Sequence, residues 1–168
     1  MVNIGTKLRD ATTEDVPAIV AVQQACHEEE VAAFYAHAEQ RPTYYEGPPI
    51  FIPEERLASV AKWFQNPFSR TRLAMQGSAV VGYAFANLDF SHERVIRLHS
   101  LTVLEEERNK GIGSLLLRDL EMNTDPTRPI TLSVLVSNTG ARRLYTRHGY
   151  EVDEKFKGIM IKRRGERA

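Results

Sequence analysis

The sequence has a single cysteine, Cys26, in 168 residues, so no disulfide can form within the chain. Cys26 lies inside an amphipathic helical pattern and reads as a small buried hydrophobe rather than a nucleophile. A charge surplus is missing as well, with 22 Lys+Arg against 22 Asp+Glu. Nucleic acids and anionic membranes both select a basic surplus, so neither is expected as a partner, although a local basic pocket for a phosphate-bearing ligand remains open. No apolar run is long enough to cross a bilayer, and Met1–Thr6 has no apolar leader, so a cytoplasmic protein is the expectation. The five histidines (His27, His37, His92, His99 and His148) are scattered without ligand spacing or cysteine partners, so no metal is expected. There is no G-K-[ST] of a Walker loop, no G-x-G-x-x-G of a dinucleotide site and no G-x-S-x-G elbow. What is present, 42% hydrophobic and 26% charged residues, suits one globular domain over residues 1–168.

Along the chain, a first strand is predicted near Lys7–Ala11. Thr12 or Thr13 then caps a helix with Glu14 and Asp15 in its first turn, and Pro17 is tolerated there. Val16, Ile19, Val20 and Cys26 share one face of that helix. Residues 28 to 70 are the least regular. Val31–Ala38 extends a helical pattern, the stretch from Pro42 to Pro53 is rich in proline, and Pro53-Glu54-Glu55 opens a second helix that ends at Asn66-Pro67. Thr71–Met75 and Val80–Leu88 form a hairpin around Gln76-Gly77-Ser78. Arg94–Val103 is a strand, Gly111–Met122 a helix, Thr131–Val136 a buried strand and Thr139–His148 a helix, followed by strands at Glu151–Lys155 and Ile159–Arg163. Strands flanking each helix place the chain in the α/β (α+β) class, around one mixed sheet.

Two segments carry chemistry. In the first, a strand ending at Leu101-Thr102-Val103 runs through Glu105-Glu106-Glu107 into Arg108-Asn109-Lys110-Gly111-Ile112-Gly113-Ser114, an R-x-x-G-x-G pattern at a helix start. Free N–H groups at a helix N-terminus and the helix dipole make an anion site, and glycines let a phosphate approach the backbone. Arg108 and Lys110 add positive charge, and Arg108 is able to grip phosphate bidentately. A glycine turn with two solvated basic residues fits those positions equally well. In the second segment, Asn138 caps a helix that carries Ala141, Leu144 and Tyr145 and ends at Gly149-Tyr150.

Together these segments resemble the GNAT superfamily of N-acetyltransferases. Asn138 to Tyr150 matches the pattern N-x-x-A-x-x-L-Y-x-x-x-G-[FY], and R-x-x-G-x-G matches the superfamily's acyl-CoA loop, in the same order and at the same separation. The likeness runs from about Arg70 to Lys162. It implies a single-domain, mixed and twisted sheet flanked by helices and split between the fourth and fifth strands, Arg94–Val103 and Thr131–Val136. Acetyl-CoA, the implied cosubstrate, would lie in the split. Its pyrophosphate would meet the N–H groups from Lys110 to Ser114 with Arg108 and Asn109 beside them, and its pantetheine arm would follow Leu101, Thr102 and Val103. Asn138 is a helix cap first and at most a contact to that arm second.

The implied reaction moves the acetyl group to a primary amine by direct attack in a ternary complex. The matching tyrosine in GNAT enzymes protonates the departing thiolate, a role that would fall to Tyr145, which otherwise reads as a core tyrosine. His99 is the candidate base, since its ordinary pKa of about 6.5 suits proton transfer near neutrality; a hydrogen-bonded structural histidine fits it equally. Arylalkylamine N-acetyltransferases have a histidine matching His99 and a second where this chain has Arg97, so half of that pair is missing. Acceptor choice in the superfamily resides largely in the segment matching residues 28–70, here carrying Phe34, Tyr35, Tyr44, Tyr45, Phe51, Trp63 and Phe64, most of which read as cap packing. A small-molecule amine is favoured over a protein acceptor, and a homodimer is admitted. The competing reading is a non-catalytic acyl-CoA-binding sensor or interaction module; a small kinase, the third, lacks a magnesium-ligand motif.

Overall fold

The computed structural model describes residues 5–36, 52–89 and 95–164. The proline-rich stretch up to residue 51, with Tyr44, Tyr45 and Phe51, lies outside the described residues, as do His37, His92 and Arg94. So do the side chains of Glu28, Glu29, Glu30, Phe34 and Tyr35.

The chain opens with β1 (Thr6–Asp10), and a short 3-10 turn (Thr13–Asp15) leads into α1 (Val16–Ala36). Asp15 organises this entry by accepting from the Thr12 backbone N–H at 2.8 Å and from both terminal nitrogens of Arg9. The turn therefore takes the cap position that the sequence assigned to the helix itself, and α1 starts at Val16. The helix also continues through Ala36 without a break at residue 28. Next come α2 (Pro53–Trp63), with proline in its first turn where no N–H is needed, β2 (Ser69–Gln76), β3 (Ala79–Asp89) and β4 (Val95–Val103). The C-terminal half contains α3 (Ile112–Met122), β5 (Ile130–Ser133), α4 (Thr139–Arg147), β6 (Glu151–Val152) and β7 (Ile159–Lys162).

The seven strands form one sheet in the order β1-β2-β3-β4-β5-β7-β6. Every neighbouring pair is antiparallel except β4 and β5. One face carries α3, whose Ile112, Leu116, Leu117 and Leu120 are all buried against Ala84, Ile96, Leu98, Leu132 and Met160. Burying each such aliphatic side chain contributes about 1.5–3 kcal/mol, so this face dominates the core. Tyr145 of α4 joins the same cluster. On the opposite face α1 and α2 cover Leu73, Tyr83 and Phe85 with Val16, Ile19, Val20, Val22 and Val60. Arg72 of β2 ties the sheet to α3 through a two-pronged ion pair with Asp119, and its third nitrogen meets Asp10 of β1 at 2.8 Å.

Two features of this sheet shape everything downstream. The parallel pairing of β4 with β5 is confined to Ile96↔Ile130, Arg97↔Thr131 and Leu98↔Leu132, although β4 continues to Val103. The sheet thus opens between its fourth and fifth strands, as the resemblance implied. The fifth strand is shorter than its apolar run suggests. Val134 bonds Gly158 rather than β4, and Leu135 and Val136 are exposed, because the chain turns aside to form one wall of the opening. The second feature is a bulge in β4. Phe85 pairs with Ser100 and Ala86 with Leu98, which leaves His99 as the inserted residue. Leu98 and Leu101 both pack on the α3 side, while Ser100 donates to the hydroxyl of Tyr83 on the α1 side at 2.8 Å. The extra residue has reversed the strand's inside–outside alternation, the effect a bulge has next to a site.

Candidate active site

The opening between β4 and β5 is a cleft of about 660 Å³. Of the residues singled out in the sequence, Leu101, Thr102, Val103, Arg108, Asn109, Gly111, Ile112, Gly113, Ser114, Asn138 and Tyr145 all line it. Lys110 and His99 do not.

The floor is built by the loop into α3. Asn109 and Gly111 both take left-handed backbone conformations, with φ of 60° and 84°. Glycine at 111 takes this conformation without the backbone strain that an L side chain would bring, and asparagine tolerates such angles better than most residues. Gly111 offers no side-chain cap to α3, and its carbonyl accepts the first helical bond from Leu115 at 3.0 Å. The N–H groups of Ile112, Gly113 and Ser114 therefore have no intrahelical acceptor, and the first turn holds no acidic residue to occupy them. Left-handed turns running into a helix N-terminus form an anion-binding concavity with the dipole behind it.

Around that floor, charged side chains are already partly committed. Arg108 donates Nε to the carbonyl of Val103 at 3.0 Å and reaches the sulfur of Cys26 with Nη2 at 3.8 Å. It therefore pins the end of β4 to α1 while still lining the cleft. Lys110 turns outward to Glu107, 3.1 Å away. Glu105 and Glu106 are exposed, whereas Glu107 folds back to accept from Gln76, so the carboxylates stay off the anion site.

The walls come from β4 and α4. Beyond Leu98 the side of β4 that faces β5 has no strand partner, which leaves this edge open to an extended ligand, although the Val103 carbonyl already accepts from Arg108. On the other side of β4, a Cβ at Gly82 would sit 2.7 Å from the carbonyl oxygen of Thr102, so glycine lets β3 and β4 approach closely there. Asn138 caps α4, its Oδ1 accepting from the Ala141 N–H at 3.0 Å. Tyr145, one of the buried residues of the core, forms part of the lining. Its ring is tilted against Tyr150 with centroids 5.7 Å apart, and no hydrogen bond to its hydroxyl occurs among the described residues. Burial pushes its pKa up to about 12, so it keeps its proton throughout the neutral range.

His99 sits at the bulge on the α1/α2 side of β4. Its ring stacks on Phe85 with centroids 5.3 Å apart, and Phe85 stacks on Trp63 at 3.9 Å. Nε2 lies 2.8 Å from Oδ1 of Asn87. One side of the imidazole is open to solvent, yet the protein packed against the other and the positive charge of Arg97 hold its pKa below the ordinary 6.5, with Asp89 opposing. Neighbouring Ser100 continues into a chain of polar contacts through Tyr83 to Gln23 and back to Thr102.

The sequence reading missed Cys26, Leu135, Gly140 and Arg147 as lining residues. Helical phase placed Cys26 on a buried face, and no sequence signal says that this face overlies Val103. Among the described residues, no group of three or more His, Cys, Asp and Glu is arranged to hold a metal ion, and no helix is long and apolar enough to cross a membrane.

The family model for acetyltransferases of the GNAT family matches residues 24–150. An uncharacterized N-acetyltransferase of Methanocaldococcus jannaschii is 43% identical over 74 residues, covering 42% of this chain and 46% of that protein, so the chain aligns with less than half of its length. Among solved structures, phosphinothricin acetyltransferase from Sinorhizobium meliloti in complex with AcCoA superposes with a TM-score of 0.72 at 22% identity, over 97% of this chain and 90% of that one. PaiA N-acetyltransferase from Thermoplasma acidophilum, in complex with coenzyme A, does so with a TM-score of 0.71 at 20% identity, over 95% and 99%.

Proposed function

The chain belongs to the GNAT acetyltransferase family, and on that premise we propose that it transfers the acetyl group of acetyl-CoA to a primary amine, with a small-molecule acceptor favoured over a protein. The observation that carries the proposal is the convergence on one cleft of a helix N-terminus without a side-chain cap, a strand edge without a strand partner and a buried, protonated tyrosine. These three suit the three parts of the cosubstrate in turn. The N–H groups of Ile112, Gly113 and Ser114, with Arg108 and Asn109, would take the pyrophosphate. The free side of β4 from Leu101 to Val103 would take the pantetheine arm, and Tyr145 would stand at the sulfur. Two solved relatives of the same fold carry coenzyme A or AcCoA, which supports the choice of donor.

Acetyl-CoA supplies an activated thioester. The bond from the amine nitrogen to the acyl carbon forms, the carbon–sulfur bond breaks, and two protons move. His99 takes the proton lost by the amine. Its lowered pKa leaves it neutral at pH 7, so a lone pair is ready. Tyr145 gives a proton to the departing sulfur, and its raised pKa ensures that the proton is there to give. Direct attack in a ternary complex needs no nucleophilic side chain. Cys26 is at the cleft but engaged by Arg108, so it has no role in such a step.

Thermal unfolding with and without acetyl-CoA tests the donor, with ATP as the control for phosphate binding alone. Ligand at about 100 times its Kd adds about 2.7 kcal/mol. The midpoint is expected to rise with acetyl-CoA and not with ATP, and the rise to shrink in Arg108→Ala. A flat midpoint at millimolar acetyl-CoA refutes the proposal. Binding without thiol release across a broad panel of amines would turn the reading toward an acyl-CoA sensor.

A further inference from the structure

The bulge that inserts His99 also determines what its ring touches. Stacking on Phe85, itself stacked on Trp63, leaves the imidazole little freedom to tilt. The only hydrogen-bond partner of the ring among the described residues is Asn87, on the adjoining strand β3. Asn87 pairs across the sheet with Arg97 rather than with His99, so the contact runs diagonally and exists because the bulge swings the ring toward it. A neutral imidazole has one N–H and one lone pair, and the partner of one nitrogen decides the state of the other. With the Asn87 carbonyl oxygen 2.8 Å from Nε2, the contact is satisfied by the tautomer in which Nε2 carries the hydrogen and Nδ1 the lone pair.

We infer that Asn87 is a positioning residue for proton transfer: by accepting from Nε2–H of His99 it keeps the lone pair on Nδ1, the atom that takes the proton of the acceptor amine. The inference rests on the reading of His99 as the base. The amine N–H bond breaks as Nδ1 gains the proton. The resulting imidazolium retains its Nε2–H bond to Asn87 and then passes the Nδ1 proton to water. Asparagine suits this role better than a carboxylate would at neutral pH. It fixes the tautomer without adding negative charge, and so leaves the pKa of His99 below its ordinary value. Among the described residues, the charged groups that act on His99 are Arg97 of β4, which lowers its pKa, and Asp89 of β3, which raises it. Arg97 and Asp89 pair with each other at 3.2 Å and act on the ring in opposite directions. Burial is the largest influence on the pKa of the ring, and residue 87 acts as its hydrogen-bond partner.

Two measurements on the full chain test this. Long-range proton–nitrogen spectra of the imidazoles, with the His99 signals assigned by their loss in His99→Gln, read tautomer and pKa without requiring turnover. The parent is expected to show Nε2–H. Asn87→Asp should raise the His99 pKa by one unit or more, since a carboxylate in contact stabilises the imidazolium. The acid limb of kcat/KM should move to higher pH by the same amount, with KM for acetyl-CoA unchanged. Asn87→Leu should lose the tautomer preference and lower kcat about three- to tenfold. A parent ring protonated on Nδ1, meaning that the Asn87 amide faces the other way, overturns the inference. So does an acid limb that stays in place while the ring pKa moves. A parent rate in His99→Gln removes His99 as the base and Asn87's role with it, while leaving acetyl transfer and its donor test intact.

Discussion

Replacing Tyr145 with phenylalanine separates catalysis from folding more cleanly than any other change in the cleft. The ring is buried in the core cluster beside Tyr150, so truncation would open a cavity, but Tyr145→Phe keeps the ring and removes one oxygen. That oxygen has no hydrogen-bond partner among the described residues, so no protein group is left unsatisfied. Stability should stay within about 0.5 kcal/mol of the parent. The effect on rate is of a different size. At pH 8 a group with a pKa of about 12 is ionised in only about one molecule in ten thousand, so the hydroxyl is a donor in essentially every enzyme molecule. A positioned general acid contributes typically about 10²–10⁴-fold. A coenzyme thiol ionises near pH 8.5 like other thiols and is a tolerable leaving group unaided, so the lower end applies. We expect kcat to fall about 100-fold, or roughly 2.7 kcal/mol in the barrier, with KM for acetyl-CoA changed little. Single-turnover release of the coenzyme thiol is the assay, because slow product release could hide a chemical defect in steady state. A variant that folds like the parent and matches its single-turnover rate would refute the assignment of Tyr145 as the acid.

Two further outcomes concern the frame that holds the cleft. Arg72→Ala leaves the carboxylate of Asp119, only 15% exposed, without its principal partner and uncouples β2 from α3; a loss of about 2–3 kcal/mol in chemical denaturation is expected, short of the full buried-pair penalty because water reaches Asp119, and a change below 0.5 kcal/mol would refute the account of that pair. Asp15→Asn should cost about 0.5–1 kcal/mol near neutral pH: the uncharged amide oxygen still accepts from the Thr12 N–H but more weakly than the carboxylate, and half-exposed Arg9 adds little. Arg9 and the Thr12 N–H hold the Asp15 pKa at about 2, below the ordinary 3.8, so its contribution is complete above about pH 4 and disappears as the pH falls toward 2. The unfolding midpoints of parent and variant should therefore converge over that window, and a gap that persists at pH 2 would contradict the role given to the Asp15 charge.

Most of the fold was legible because local rules and burial agreed. The 3.6-residue spacing of Ile112, Leu116 and Leu120 marks α3, and the turn at Gly77 marks the hairpin of β2 and β3. The cleft was legible through two short motifs, since a glycine at a left-handed helix entry and an asparagine cap are local devices that act over three or four residues. What the sequence by itself determined is therefore the set of elements and the loop able to hold an anion, each written in contacts between near neighbours, and from the alternation of those elements the mixed character of the sheet. The tertiary structure alone decided three things. It ended β5 at Ser133, where the chain leaves β4 to open the cleft, although the apolar run continues to Val136. It brought Cys26 of α1 and Arg108 of the loop together at the end of β4, a contact between residues 82 apart in the chain. It also placed the bulge at His99 and so gave that ring to Asn87, because where a strand slips by one residue depends on how both faces of the sheet are packed, and no local pattern in β4 records that competition.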